Sequence, residues 1–170
     1  FTLVETLAGY VIGASLGLVC AWLLSLTAAF QKIFHPFLIA FYAIPKIALA
    51  PLMIMWFGLE ITPKIVIAAI FVFFIVFMNT LVGIQGVSRD LVNVTRIMGA
   101  DKLQLMRLVT FPSAVPNIII ALRITVPEAM IGAIIGEFIA GNRGVGYLIN
   151  AASNQYNTAG VFAGICALLA

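Results

Sequence analysis

At 170 residues, 64% of them hydrophobic and only 9% charged, the chain has a mean hydropathy of +1.19. A water-soluble domain of this size would carry roughly a quarter charged residues, so the composition excludes that class and puts the chain in a bilayer. The net charge of +3 falls mostly between apolar runs and therefore bears on membrane topology rather than on nucleic-acid binding.

Five apolar runs follow one another, four of them long enough to cross ~30 Å of hydrocarbon at ~20 residues each. The first is expected over Leu7 to Ala29, where Gly9, Gly13 and Gly17 form a small-residue ladder that lets another helix approach closely. Gln31, Lys32 and His35 follow in a short loop, where His35 reads as a cap or solvent contact. The second run, Pro36 to Leu59, contains Pro45 and Pro51, each lacking a backbone donor, and a bend is expected near Ala43 to Ala50. A turn with Glu60, Thr62, Pro63 and Lys64 leads into the third run, Ile65 to Gly86. The fourth is expected over Pro116 to Ala140, then a polar connector from Gly141 to Thr158, then a fifth run from Ala159. The sequence opens on Phe1 rather than Met and its last run is cut at Ala170, so a longer protein with at least one further span is expected. Cys20 and Cys166 lie in apolar runs with no His or Cys at ligand spacing and read as small buried hydrophobes.

The long polar interval, residues 88–115, has the local grammar of two short helices around a bend. Ser88 or Asp90 is placed to cap the first helix, and Gly99 to end it with a positive φ. Asp101 and Gln104 have the spacing of a capping box for the second helix. Pro112 is expected to stop that helix. Leu105, Met106, Leu108 and Val109 supply an apolar side, and Lys102 and Arg107 a polar one. Such a pair, hung between spans, is suited to docking on another protein.

Arg96-Ile-Met-Gly99-Ala100, Phe111-Pro112, Pro116 and Leu122-Arg123-Ile124 together resemble the EAA loop of ABC-importer permeases. Asn93-Val94-Thr95 stand where that family has Glu-Ala-Ala, which leaves any particular ion pair of that Glu without a counterpart here. Ile44-Pro45, Pro51-Leu52, Trp56-Phe57-Gly58, Asn79-Thr80, Glu137-Phe138 and Gly144-Val-Gly-Tyr-Leu-Ile149 are similar to the nitrate, sulfonate and taurine branch of the same family. The resemblance implies an all-α transmembrane domain of a type I importer over residues 1–170, with five of six spans present and the last truncated. It implies that the 88–115 loop is the coupling element, with Arg96, Gly99, Ala100, Asp101, Leu105, Arg107 and Pro112 as its site residues. The implied partners are two cytoplasmic ATP-binding subunits, which hold the ATP, a second permease copy and an extracytoplasmic solute-binding protein. The implied location is a bacterial or archaeal cell membrane. The implied solute is a small oxyanion such as nitrate, a sulfonate or taurine, or a thiamine-precursor-like heterocycle.

Loop charges orient the set. Lys32, Arg89, Arg96, Lys102 and Arg107 share one side, against Lys64 and Arg143 on the other, so the docking loop faces the cytoplasm. Lys46, ~15 Å along a helix from Pro36, and Glu128, ~18 Å from Pro116, then both fall near the bilayer centre. A lone charge there costs ~2.5–3.5 kcal/mol on insertion scales, so the two are expected to line a translocation path with Pro45 and Pro51, either close together or each facing an aqueous cavity without touching. An ion-coupled transporter or channel using Lys46 and Glu128 is the alternative, although no internal repeat supports it. A purely structural assembly subunit is a third, but it would not need charges at depth. Gly141-Asn-Arg-Gly144-Val-Gly146 is not a nucleotide loop, since no strand precedes it and no Gly-Lys-Ser/Thr follows. No nucleophile–base pair or metal constellation can be assembled, so the chain reads as a non-enzyme without a cofactor of its own.

Overall fold

The structure is a computed structural model that describes residues 1–25, 40 and 44–169. Lys32, His35, Pro36 and Ala43 lie outside the described residues. All regular elements among the described residues are helical, in keeping with the all-α expectation. In chain order they are α1 (Thr2–Ser25), a 3-10 turn (Lys46–Leu49), α2 (Ala50–Phe57), α3 (Thr62–Gln85), α4 (Arg89–Ile97), α5 (Lys102–Leu105), a π-turn (Met106–Thr110), α6 (Phe111–Ala140), α7 (Val145–Asn154) and α8 (Thr158–Leu169).

Three helical stretches are long and apolar enough to cross a membrane: Thr2–Ser25, Thr62–Gln85 and Leu103–Ala140. α1 begins five residues earlier than the apolar run because Thr2 and Glu5 find polar partners inside the protein and need no water. The second run is not one helix among the described residues. Pro45 is extended (φ −62°, ψ 101°), a single 3-10 turn follows, and α2 runs only to Phe57, where Gly58, with a φ of 79°, ends it. The expected bend is therefore made at Pro45. Pro51 takes no part in it, because it sits in the first turn of α2, where its missing N–H would have had no partner anyway.

Pro112 does not stop its helix, contrary to expectation. In an α-helix its ring would press on the Leu108 carbonyl and one bond would be lost. Here the π-turn immediately before it shifts the register, and the Phe111 N–H reaches back to the Met106 carbonyl. Helix therefore continues from Leu103 to Ala140. The polar connector is also more ordered than expected: α7 occupies most of it, and Tyr156 turns the chain with a φ of 54°.

The chain packs as two compact units. One comprises Phe1–Gly13, Ile44–Val72 and Val126–Ala170; the other comprises Ala14–Ala43 and Phe73–Thr125. In the first, Ala50 and Met53 of α2 pack on Ile67 and Phe71 of α3, joined by Val66, Ile70 and Ile135. Gly9 and Gly13 let α1 lie directly on α3 there: a Cβ on Gly9 would come 2.5 Å from that of Ala68, and one on Gly13 would strike the Ala69 carbonyl. This is packing by removal of side chains, which suits a bilayer, where lipid is as apolar as Leu. In the second unit Ala21, Phe77 and Leu81 form the core with Cys20, Leu24, Phe73 and Met78. The Trp22 and Phe111 rings meet there at 5.1 Å. Leu3, Leu7, Val11, Val19 and Leu23 of α1 stay exposed, as lipid-facing residues should. Cys166, expected to be buried, is exposed on α8, a helix with no buried residue.

Candidate functional site

The loop between α3 and α6 is built by its caps. Ser88 occupies the N-cap of α4 with non-helical backbone (φ −56°, ψ 129°), but its side chain makes no capping bond; its carbonyl accepts from Val92. At the other end, the Gly99 N–H bonds the Arg96 carbonyl at 2.9 Å and the Ala100 N–H bonds the Thr95 carbonyl at 3.2 Å. With Gly99 at φ 85°, this is a Schellman cap, which explains why Gly and Ala follow Arg96 at that spacing. The capping box then forms as expected. Asp101 N–H donates to Gln104 Oε1 at 3.0 Å and Gln104 N–H to Asp101 Oδ1 at 2.6 Å.

What this rigid corner presents is apolar. Leu91, Val94 and Met98 share one face of α4, and Ile97 and Met98 are 85% and 82% exposed. Leu103 and Leu108 are exposed beyond the corner. Leu105, expected on the docking side, is half-buried, and Val109 is buried. Arg96, Asp101, Arg107 and Pro112 are exposed and Ala100 is half-buried. A short amphipathic helix that turns its apolar stripe outward has the form of a docking element.

In the first unit, Lys46 opens the 3-10 turn after Pro45. It is half-buried, with its ammonium 5.7 Å from the centre of the Phe71 ring. Glu128 of α6 is also half-buried, and its charge acts on Lys46. Pro45 and Pro51 are exposed.

Sequence reasoning missed a second polar centre. Glu5, Lys64 and Glu137 are 1%, 3% and 0% exposed. Lys64 Nζ lies 3.4 Å from Glu5 Oε1, and the charge of Glu137 acts on Glu5. Glu137 Oε1 accepts from the Thr2 hydroxyl at 2.7 Å, and its Oε2 accepts from the Gly146 N–H at 2.6 Å. Thr2 Oγ1 in turn accepts from the Val145 N–H at 2.9 Å. Glu137 and Thr2 therefore cap α7, holding a carboxylate where free N–H groups and the helix dipole favour negative charge. Gly144 has a φ of 106°, and any Cβ on it would collide with the Glu137 carboxyl group. The glycine-rich turn thus wraps an anion of its own chain. Lys64, counted from sequence as a loop charge, is a buried partner of Glu5.

The chain is thus a multi-pass helical one with a capped, outward-facing apolar corner between two membrane-length helices. Residues 13–170 match the family of binding-protein-dependent transport system inner membrane components, and the chain belongs to that family of ABC-transporter permeases. It is 38% identical to the formylaminopyrimidine transport permease protein ThiX of Halalkalibacterium halodurans, over 94% of this chain and 66% of that protein. It is 38% identical to the riboflavin transport system permease protein RibX of Chloroflexus aurantiacus, over 81% of this chain and 52% of the relative. Identity to the taurine transport system permease protein TauC of Escherichia coli is 30%, over 85% and 53% respectively. The chain thus spans about half to two thirds of the length of these relatives. It is an all-α, multi-pass membrane protein of the type I importer class, and the family is one of transport subunits rather than of catalytic enzymes.

Proposed function

We propose that this chain forms the membrane pathway of an ATP-driven importer and receives its driving force through the 88–115 loop. The observation that carries this reading is the corner at Gly99: a Schellman cap and a capping box, two residues apart, hold an apolar stripe rigidly outward. A docking element that transmits movement must not absorb it, and doubly capped short helices meet that need. The partners are two cytoplasmic ATP-binding subunits, which carry the nucleotide, a second copy of the permease and an extracytoplasmic solute-binding protein. ATP binding draws the ATPases together, moves the docking corners and turns the cavity outward; hydrolysis resets it.

The solute is a small oxyanion or a thiamine-precursor-like heterocycle, in line with relatives named for formylaminopyrimidine and taurine transport. Lys46 and Glu128 line the path, and each offsets the other's charge near mid-bilayer. Family membership does not favour the ion-coupled alternative. The test is uptake by the full-length protein reconstituted with its ATPase and binding protein, using labelled nitrate, taurine and a formylaminopyrimidine. ATP-dependent accumulation of one of them is expected; uptake driven by an ion gradient without ATP would contradict the reading. Lys46→Glu and Glu128→Lys are each expected to impair that uptake, with the double exchange recovering more of it than either single variant.

A further inference from the structure

In the second unit α6 buries one stripe, Ala114, Ala121 and Thr125, all nearly inaccessible. The stripe is locked against α3, because a Cβ on Gly83 would come 2.9 Å from that of Asn117 and 3.2 Å from the Ala114 Cα. Successive residues of an α-helix are set about 100° apart. An unbroken α-helix would therefore carry the stripe back to Arg107 and Leu103, seven and eleven positions before Ala114. Neither is buried: Arg107 is exposed, and so is Leu103, at 72%. The buried residue is Val109, five before Ala114, which α-helical spacing would place about 140° away from it. Leu105, which the same spacing would set opposite the stripe, is half-buried. Between Ala114 and the docking corner, then, the facing of the chain is displaced by one residue, and the π-turn Met106–Thr110 is where that happens.

Pro112 holds the displacement in place. In α-helical register its ring would press on the Leu108 carbonyl, whereas the Phe111 N–H before it bonds Met106, five positions back. Phe111 is itself fixed, with its ring 5.1 Å from that of Trp22. We propose that the π-turn, locked by Pro112, sets the azimuth of the docking corner about the α6 axis, and that Pro112 is a positioning residue for coupling. This rests on the reading of the 88–115 loop as the coupling element. If the turn relaxed to α-helix, the corner would rotate by about 100°. Arg107 and Leu103 would swing toward the buried side and Val109 out of it. The corner would keep both its caps and present the wrong face to its partner. The caps make it rigid; the π-turn aims it.

The test is a substitution and its repair by a deletion. Pro112→Ala restores an N–H and lifts the bar to α-helical register. Deleting Thr110 in that background removes the extra residue. An unbroken α-helix then has Val109 four and Met106 seven positions before Ala114, on the inner side as in the wild type. Facing is read by labelling the full-length permease with a water-soluble maleimide, without its ATPase, on Val109→Cys or Arg107→Cys with Cys20 and Cys166 replaced by Ala. Arg107→Cys is expected to react and Val109→Cys to stay protected. Pro112→Ala should exchange the two reactivities, and the Thr110 deletion should restore them. Solute imported per ATP hydrolysed, measured with the native residues at 107 and 109, is expected to fall about fivefold or more in Pro112→Ala and to return when Thr110 is also deleted. A proline needed only for stability would not be repaired by shortening the helix. Unchanged labelling in Pro112→Ala, exchanged labelling with coupling intact, or no recovery on deletion would overturn the proposal. Failure of the coupling reading itself shows separately, as absence of ATP-dependent uptake by the wild type.

Discussion

Glu137 shows how one acid can be kept at the end of a membrane helix. Its two oxygens take a hydroxyl and a backbone N–H, and the N-terminus of α7 supplies the field. Glu5 is held differently, by an ammonium, and that makes Lys64 the sensitive member of the cluster. Replacing Lys64 by Met leaves two buried carboxyl groups without a cation, and breaking one side of a buried pair costs roughly 3–5 kcal/mol. We expect Lys64→Met to lower the melting temperature of the purified protein markedly, and Glu5→Gln combined with it to recover part of the loss. Equal melting temperatures for wild type and Lys64→Met would show that the pair is not buried as described. Little of this was legible from sequence. Glu5 stood before an apolar run and Lys64 in a turn, both ordinary places for solvated charge, and their pairing depends on helices 59 residues apart in sequence. The signal that was available lay in the glycines: Gly144 and Gly146 needed an anion to wrap, and Glu137 was the acid nearest before them in the chain.

The docking loop is the element in which local chemistry decides most, and there the sequence was readable. Caps are made by residues within a few positions of one another, so Gly99, Asp101 and Gln104 could be assigned without knowing the fold. Nothing lies within 4 Å of a Cβ placed on Gly99, so a substitution there acts through the backbone alone. A non-glycine residue in the left-handed region costs about 1–2 kcal/mol, least for Asn. Coupling, measured as solute imported per ATP hydrolysed, is therefore expected to fall in the order Gly99→Asn, Gly99→Ala, Gly99→Val, with membrane levels unchanged. Equal coupling in all three would remove the cap from the mechanism. Pro112 was misread because its effect depends on a π-turn, a register change that no short pattern of residues announces. The exposed side of the second short helix was misread in a related way. Leu105 sits beside the start of the π-turn, so α-helical spacing did not foretell which leucines face out. Leu103 and Leu108, exposed as they are, make sharper probes than Leu105: Leu103→Asp or Leu108→Asp is expected to reduce coupling more than Leu105→Ala does.

For the molecule as a whole, composition settled the solvent and the order of the apolar runs settled most of the architecture. Prolines moved the boundaries: Pro45 divides the second run, while Pro51 and Pro112 are absorbed into helices. The central claim is that the 88–115 loop, through the apolar face of α4, is where the ATP-hydrolysing subunit binds. The direct measurement is affinity purification of the full-length permease, co-expressed with its ATPase, as wild type and as an Ile97→Asp/Met98→Asp variant, with the melting temperature of each recorded. Both side chains are exposed, so the fold should be indifferent to the change. The account predicts that the ATPase comes down with the wild type and is lost, by about tenfold or more, from an equally stable variant. Retention of the ATPase by the variant at the wild-type level would contradict it.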